Sequence, residues 1–477
     1  MKFTILPLSG FIFLIFILSS NPLISQPTFE RIYDEIPNQN YGNSVVQNDD
    51  GGYTFVGRQE GSPHNKVLIV RTDIYGDTIW VKTYGSSGSC FGLSVNKTWD
   101  GAYIVSGVNN PTLTWPNIHL LKIDANGDTL WTKTFNKSEI EWGISAYETS
   151  SDSGYIVCGD IQTAVYGGIY LIKTDAWGDT LWTRAIILDS LHKIGPWGFR
   201  ITGDQGYVIC GASAPFSNPD VRGIFIIKTD QYGNVEWKKN YDWNDYSIGC
   251  DVTETYDNGY MICGTSQENE SQPCKILLIK TDNIGDTVWT KRITDLTSLE
   301  VAYSLVETID HNYILCGSIN SSSSFLADLY LLKTDQFGDT IWTRTYGQDN
   351  DVGYEVKMTN DNGIVVVGGS GYSYHRSYLV KTDEEGLITG IGKKKIENSE
   401  ILVFPIPNRG VFRIESDQPL KMIEIYDNNA QCVFIKQIKG HSTLIENINL
   451  SEMNPGEYVI RMQTAGSFSV QKIIIQK

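Results

Sequence analysis

Short stretches of alternating hydrophobic and polar residues, separated by turn residues, run through most of the chain. In the first of several copies, "YGNSVVQ" (residues 41–47) and "YTFVG" (53–57) flank the turn "DDGG". "VLIVRTD" (67–73) and "TIWVKTYG" (78–85) then flank the turn "IYGD". A period of two bounded by Gly and Asp is typical of hairpin strands. The pattern predicts four antiparallel strands, which we call a, b, c and d in chain order.

This four-strand unit recurs seven times with a period of about 52 residues, within the range of β-propeller blades. The c/d hairpin repeats most regularly, as "RTDIYGDTIWVK" from residue 71, "KIDANGDTLWTK" from 122, "KTDAWGDTLWTR" from 173, "KTDQYGNVEWKK" from 228, "KTDNIGDTVWTK" from 280, "KTDQFGDTIWTR" from 333 and "KTDEEGLITG" from 381. We therefore predict an all-β protein, with a seven-bladed β-propeller of four-stranded antiparallel blades over residues 26–392. A linker (393–400) and a small C-terminal β-sandwich domain (401–477) follow.

The two ends of the repeat array complement each other. The last copy ends in "LITGIG", without the tryptophan or the "KTYG" of the other copies, and residues 28–34 before the first copy read "TFERIYD". This segment is similar to strand d of the second copy, "TLWTKTF". We predict that it supplies strand d of the last blade, which removes an exposed sheet edge.

Turn chemistry accounts for the residues that recur. An aspartate begins each a/b turn, where its carboxylate can accept backbone N–H hydrogen bonds. A glycine two residues later in five copies predicts a positive φ; Ala102, which follows Gly101, and Asn312, which tolerates that φ, replace it once each. The a/b turn aspartates are Asp50, Asp100, Asp152, Asp204, Asp257, Asp310 and Asp361. In six of the seven copies a tryptophan lies four residues after the c/d turn glycine, which predicts a wedge between blades, worth roughly 2–3 kcal/mol. These are Trp80, Trp131, Trp182, Trp237, Trp289 and Trp342.

The repeated "TDxxGDT" also suggests a calcium loop, because it contains two carboxylates and a hydroxyl. Calcium takes six or more oxygen ligands, and Asn234 replaces the second aspartate in the fourth copy, so we favour a structural turn. The Lys-x-Asp spacing, as in Lys173 and Asp175, predicts a partly solvated ion pair on one strand face. We expect no metal, no cofactor and no catalytic set, because the histidines lack ligand spacing and no nucleophile motif occurs.

Export is indicated by the N-terminus. Residues 1–25 contain Lys2, an apolar stretch and small residues, which is typical of a secretory signal peptide rather than a membrane span. The formal net charge of −17 argues against a nucleic-acid partner. Four cysteines share one strand b position and read as core residues, namely Cys158, Cys210, Cys263 and Cys316. A disulfide among the scattered Cys90, Cys250, Cys274 and Cys432 is left open.

The repeats resemble the secreted, propeller-like repeat proteins of bacteria that use the type nine secretion route, and the c/d turn resembles the structural turns of sialidase-type and quinoprotein propellers. The C-terminal blocks "ILVFPIPNRGVFRIE", "MIEIYDNNAQCV", "INLSEMNPGEYVIRM" and "SVQKIIIQK" resemble the type A sorting domain of that route. Ile406 and Ala430 depart from the family's usual Pro-Asn-Pro and glycine. The resemblance implies secretion or surface attachment, with the secretion machinery as partner. The alternative is an ordinary β-sandwich packed on the propeller.

A ligand site is expected where the repeats vary. The a/b and c/d turns share one uniform rim, which we call the constant rim, whereas the b/c and d/a loops share a variable rim, the usual location of recognition. Strand a begins with an aromatic-glycine pair in four copies, and the b/c loop of the second copy adds another ring; the candidates are Tyr41, Phe91, Trp142, Trp197 and Trp115. They would stack on sugars at the channel mouth. The alternative, which we favour, is that they pack between blades.

Together these features favour a monomeric binding or scaffold protein, without enzyme activity, that presents its variable rim to a glycan or protein ligand. The alternative is a secreted glycan-active hydrolase or lyase with its site in the propeller channel.

Overall fold

A computed structural model of the chain describes residues 26–61, 63–85, 88–110, 116–136, 140–162, 167–187, 192–215, 222–241, 246–267, 273–293, 299–320, 327–347, 350–371, 375–388, 401–404, 410–416, 420–427, 431–438, 444–463 and 468–475. Within these ranges the regular secondary structure is entirely β-strand. The predicted signal peptide (1–25), the linker (393–400), Trp115 and most of the variable-rim loop residues lie outside them.

Seven four-stranded antiparallel sheets form the predicted propeller blades. Blade 1 contains β2 (Asn40–Gln47), β3 (Tyr53–Gln59), β4 (Lys66–Thr72) and β5 (Thr78–Tyr84). Blade 2 contains β6 (Ser89–Lys97), β7 (Tyr103–Asn110), β8 (Asn117–Ile123) and β9 (Thr129–Phe135). Blade 3 contains β10 (Ile140–Glu148), β11 (Tyr155–Gln162), β12 (Gly167–Thr174) and β13 (Thr180–Ile186).

Blade 4 contains β14 (His192–Ile201), β15 (Tyr207–Pro215), β16 (Gly223–Thr229) and β17 (Val235–Tyr241). Blade 5 contains β18 (Tyr246–Glu254), β19 (Tyr260–Gln267), β20 (Lys275–Thr281) and β21 (Thr287–Ile293). Blade 6 contains β22 (Leu299–Glu307), β23 (Tyr313–Asn320), β24 (Ala327–Thr334) and β25 (Thr340–Tyr346). Blade 7 contains β26 (Val352–Met358), β27 (Ile364–Ser370), β28 (Arg376–Thr382) and β1 (Phe29–Ile32).

The order of blade 7 confirms the predicted ring closure. Strand β1 pairs antiparallel with β28, with Phe29 opposite Lys381, as Trp80 lies opposite Arg71 in blade 1. Phe29 thus takes the place of the repeated tryptophan. The hydroxyl of Tyr33 donates to the carbonyl of Gly76 in blade 1 at 2.9 Å. The first described residues therefore complete the last blade and bind the first.

The predicted tryptophan wedge between blades is confirmed. Each indole lies over the c/d turn glycine of the next blade, in the pairs Trp80–Gly127, Trp131–Gly178, Trp182–Gly233, Trp237–Gly285, Trp289–Gly338 and Trp342–Gly386, and Phe29 covers Gly76 in the same way. A Cβ on Gly127 would lie 2.8 Å from the Trp80 ring, and its φ is +79°. Glycine is required there both by the turn and by the indole.

The a/b turn forms as predicted, but the prediction of its positive φ was wrong by one residue. Asp152 Oδ1 accepts the N–H of Gly154 at 3.0 Å, whereas the positive φ belongs to Ser153, at 53°. A Cβ on Gly154 would instead clash with the carbonyl of Thr174 and lie 2.6 Å from the Lys173 ammonium. Glycine is therefore used at this position for the close approach of strand c.

The expected Lys173–Asp175 ion pair was also wrong, because Lys173 turns to the a/b turn and binds Asp152 at 2.7 Å. Asp175 accepts the backbone N–H groups of its own turn. Every blade contains the same clip between a nearly buried strand c cation and the a/b turn carboxylate, in the pairs Arg71–Asp50, Lys122–Asp100, Lys173–Asp152, Lys228–Asp204, Lys280–Asp257, Lys333–Asp310 and Lys381–Asp361. The clip ties the inner hairpin to strand c.

The C-terminal region forms two antiparallel sheets. Strands β29 (Ile401–Phe404), β30 (Val411–Ser416) and β33 (Leu444–Asn449) form one, and β32 (Cys432–Gln437), β31 (Met422–Tyr426), β34 (Gly456–Gln463) and β35 (Phe468–Ile475) form the other. Phe412 and Ile414 from the first sheet share a buried cluster with Ile423, Ile460 and Ile473 from the second. This shared core is that of a small β-sandwich, as predicted.

All eight cysteines are free. The four at the strand b position, Cys158, Cys210, Cys263 and Cys316, are buried, as predicted. Burial raises the pKa of each of these thiols, so they stay protonated and unreactive in the core.

Closure by β1 predicts that Phe29→Ala destabilises the propeller by about 3–5 kcal/mol, because a large buried aromatic is lost at the seam. Ile32→Ala is the matched control on the same strand, since Ile32 is 46% exposed, and should change the free energy of unfolding by about 0.5 kcal/mol or less. Urea denaturation monitored by tryptophan fluorescence measures both. Equal midpoints for the two variants would show that the seam does not depend on Phe29.

The buried clip predicts that Lys381→Met destabilises the protein by about 3–5 kcal/mol, because the nearly buried Asp361 loses its cation. Lys82→Met removes an exposed pair with Asp128 and should cost at most about 1 kcal/mol. Thermal and urea unfolding at neutral pH compare them. A Lys381→Met variant as stable as Lys82→Met would contradict a structural role for the clip.

Candidate binding site in the central channel

The seven inner strands surround the propeller axis. Successive inner strands contact one another from β2 to β26, and β26 contacts β2, so the ring is closed. A cavity of about 860 Å³ lies on this axis and is lined by residues from all seven blades. It is the candidate binding site.

Inner strands are sheet edges, so some of their N–H groups need partners from outside the sheet. Each inner strand has one residue that faces the core residue of strand b, and a polar side chain there can accept such an N–H. These belt residues are Ser44, Ser94, Ser145, Gly198, Asp251, Ser304 and Glu355. Ser44 Oγ accepts the N–H of Val95 in blade 2 at 3.0 Å. Glu355 Oε2 accepts the N–H of Val45 in blade 1 at 2.8 Å. The belt therefore joins neighbouring blades.

The belt is broken at blade 4, where Gly198 has no side chain to offer the next blade. The N–H of Val252 bonds instead to Oδ1 of Asp251, at 2.9 Å. Oδ2 of Asp251 accepts the N–H of Leu305 at 3.2 Å and the hydroxyl of Ser304 at 3.0 Å. The Asp251 carboxylate thus accepts the N–H of Val252 in its own strand as well as the N–H of Leu305 in the next blade.

Two cations balance the belt carboxylates. Arg200 binds Asp251 at 2.8 Å and donates to the hydroxyl of Tyr147 at 3.2 Å. Lys357 binds Glu355 at 2.9 Å. Burial lowers the pKa of Arg200, but Asp251 and the other nearby acidic groups together outweigh it and hold that pKa above its ordinary value. Burial also lowers the pKa of Lys357, but Glu355 and Tyr147 together hold it above its ordinary value. These ion pairs make one end of the cavity polar but balanced in charge, and we call this end the floor.

Three of the predicted aromatics begin their strands as expected, but Trp197 does not. Tyr41, Phe91 and Trp142 each lie three residues before the belt, whereas Trp197 directly precedes Gly198. Gly195 occupies the corresponding place in blade 4. The expected alignment of Trp197 was therefore wrong by two residues, and its ring lies deeper along the strand.

Inter-blade packing occurs among these aromatics. Phe91 and Trp142 contact each other at 5.6 Å between ring centroids, and Tyr41 lies 6.2 Å from Tyr354 of blade 7. The Arg58 guanidinium covers Tyr41 and Phe91. Trp142 and Trp197 line the cavity and remain 40% and 57% exposed. Tyr41 and Phe91 thus serve mainly as packing, while the two tryptophans present free surface.

The cavity extends sideways over blades 3 and 4. This cleft is lined by Asp160 and Gln162 at the end of β11, by residues 212–215 at the end of β15, and by Arg222. Gln162 donates to Asp160 at 2.6 Å, and Arg222 lies over the Tyr246 ring at 4.8 Å. The site is therefore asymmetric despite the repeated blades.

Sequence reasoning missed the floor residues, namely Tyr147, Arg200, Asp251, Tyr303, Tyr354 and Glu355. The signal that could have found them was the departure from Ser at the belt column of the internal alignment. Small polar residues occupy it in four copies, whereas Gly, Asp and Glu replace them in blades 4, 5 and 7. Local rules are expected to be broken where a site is formed.

The repeated carboxylates of the c/d turns already have partners. Asp175 accepts two backbone N–H groups of its turn, and Asp179 binds Lys133 of the preceding blade at 2.6 Å. Across the described part of the chain, no group of three or more His, Cys, Asp or Glu is placed to hold a metal ion. In the same ranges, no helix has the length and apolar character needed to cross a membrane.

Two solved structures of a PL25 ulvan lyase, a polysaccharide lyase, share the fold, one of them bound to -[GlcA(1-4)Rha3S]-. They have TM-scores of 0.52 and 0.50, are 10% identical, and the alignments cover 74% of this chain and 96% of the lyase. At this identity the likeness concerns the fold alone. No curated protein matches the sequence.

Residues 402–476 match the family model described as a secretion system C-terminal sorting domain. The match covers the sandwich strands β29 to β35 almost completely. The C-terminal β-sandwich is therefore a secretion system sorting domain, which directs the propeller through the type IX system to the cell surface or the extracellular space.

Proposed function

We propose that the protein is a secreted or surface-attached binding protein whose propeller takes a glycan at the channel mouth. The single observation that carries the proposal is the pair of exposed indoles, Trp142 and Trp197, at the edge of an 860 Å³ cavity with a polar floor. Rigid aromatic faces bind the apolar faces of sugar rings, and nearby polar groups take the hydroxyls.

Binding is favoured over catalysis by the state of the floor carboxylates. Asp251 accepts hydrogen bonds from Val252, Ser304 and Leu305 and pairs with Arg200. Glu355 accepts the N–H of Val45 and pairs with Lys357. A general acid or base must be free to exchange a proton with the substrate, and these two carboxylates are engaged in joining blades.

A second candidate is a glycan-active lyase or hydrolase. One observation favours it: Tyr147 and Arg200 lie together in the cavity, hydrogen-bonded at 3.2 Å, and could act on a bound glycan as a base and a cation. A propeller of the same fold is a polysaccharide lyase. Product analysis after prolonged incubation with each bound glycan separates the two, because new reducing ends or unsaturated products require turnover.

Maturation completes the proposal. Residues 1–25 act as a signal peptide for crossing the inner membrane, and the sorting domain is removed near the linker at 393–400 after crossing the outer membrane. The mature protein is then the propeller alone, presented as a monomer.

The glycan proposal predicts that Trp142→Ala and Trp197→Ala each weaken binding about 10- to 30-fold, since buried aromatic anchors dominate binding energies. Trp177→Ala is the matched control, because Trp177 is 72% exposed on a c/d turn of the constant rim. A glycan array followed by calorimetry measures the affinities. If Trp177→Ala weakened binding as much as Trp197→Ala, the ligand would not lie in the channel mouth.

The sorting domain predicts that deleting residues 471–477 leaves a folded propeller in the periplasm. The deletion removes the end of β35, including the buried Ile473 and Ile475, so the sandwich core is lost while the propeller is untouched. Ile435→Ala, at a 59% exposed site in the same domain, should be exported normally. Cell fractionation with mass spectrometry of the mature C-terminus measures both. Normal export of the truncated chain would contradict the assignment of a sorting signal to β35.

A further inference from the structure

Between the belt residues and the constant rim, hydrogen bonds join neighbouring blades around the floor of the cavity. Tyr147 and Arg200 lie two residues beyond the belt and line the cavity. The residues that follow toward the constant rim bind the a/b turns of preceding blades: Glu148 accepts the N–H of Trp99 at 2.7 Å, and Glu254 accepts that of Gly203 at 2.6 Å. Glu307 does the same for Tyr256, at 3.1 Å.

Similar hydrogen bonds join other pairs of neighbouring blades. Asn96 donates to the carbonyl of Ala146 at 2.9 Å, joining blades 2 and 3. Gln47 accepts the N–H of Asn360 at 2.8 Å, joining blades 1 and 7. Among the described residues, those lining the cavity extend no further toward the constant rim than Tyr147 and Arg200. At this depth Arg200 bridges Tyr147 of blade 3 and Asp251 of blade 5, so the described cavity ends at the floor and opens toward the variable rim.

An opening on one side restricts how a polymer can enter. A chain bound through an internal segment must leave the site at both ends, whereas a closed axial pocket admits only one end. The cleft over blades 3 and 4 belongs to the same cavity, so it gives the rest of the chain a path away from the floor on the open side.

The floor chemistry suits a chain terminus. A terminal sugar exposes a hydroxyl that an internal sugar uses in its glycosidic bond, and that hydroxyl needs a polar partner when it is buried. The hydroxyls of Ser145 and Tyr147 and the guanidinium of Arg200 line the deepest part of the cavity. The two hydroxyls can both donate and accept hydrogen bonds, and the guanidinium donates.

We propose that the site recognises the end of a glycan chain, with the terminal sugar on the floor at Tyr147 and Arg200 and the following sugars in the cleft past Trp197. This inference rests on the proposed glycan-binding function and specifies which part of the glycan is bound.

The test uses length ladders of one composition. Each polysaccharide of a panel of purified plant and algal polysaccharides is partly acid-hydrolysed, and fractions of defined length are titrated into the full propeller. End recognition predicts that affinity per unit mass rises in proportion to the number of chain ends, about tenfold for a tenfold shorter chain. An affinity per mass that is independent of length would overturn end recognition while leaving glycan binding intact. Lack of binding to every fraction would overturn the proposed function and this inference with it.

Variants locate the contact. Tyr147→Phe should reduce the preference for free over O-methylated chain ends at least threefold, because the floor hydroxyl is lost. Glu148→Gln is the control one residue away, since Glu148 faces the constant-rim turn of blade 2 and should leave that preference unchanged. An unchanged ratio of affinities for free and methylated ends in Tyr147→Phe would remove the terminal sugar from the floor, even if overall affinity fell.

Discussion

The contact on which the rest of the structure depends is the indole of one blade lying over the c/d turn glycine of the next. It repeats from Trp80 on Gly127 to Trp342 on Gly386, and Phe29 makes the last contact on Gly76. Because each blade rests on its neighbour, the blades are held radially and their inner strands meet around an axis. The cavity exists only because this ring closes, and closure uses a strand from the other end of the array.

Much of the fold could be predicted because turns and strand periods are local. The repeated "TDxxGDT" was enough to predict the c/d turns, and the strand missing from the last copy was enough to predict the ring closure. The failures were non-local. Lys173 was assigned to the aspartate nearest in sequence, although the longer reach to Asp152 across the hairpin gives a buried partner. Likewise, the glycine at 154 was explained by its own φ, whereas the approaching Thr174 carbonyl from strand c requires it.

The site was less predictable than the fold, for a physical reason. The aromatic-glycine pattern led to Tyr41, Phe91 and Trp142, but a β-bulge in every inner strand shifts which residue points to the axis. In β14 the bulge involves Pro196 and Gly198, so Trp197 lies outside the pattern. The effect of the missing belt side chain at Gly198 appears one blade away, where the N–H of Val252 bonds to Asp251.

The two rims differ because the polar side chains of the constant rim are engaged in hydrogen bonds and ion pairs that hold the propeller together. On the constant rim the turn aspartates, the buried strand c cations and the last residue of five inner strands hold the hairpins and blades together, as in the contact of Glu148 with Trp99. A substitution there removes an inter-blade bond as well as a surface group. On the variable rim, described inter-blade hydrogen bonds such as Cys90 N–H to Asn65 C=O and Ser247 N–H to Arg222 C=O join backbone groups. Side chains can therefore differ from copy to copy there without removing these bonds. An asymmetric site in blades 3 and 4 can therefore form on the variable side of a nearly symmetric scaffold.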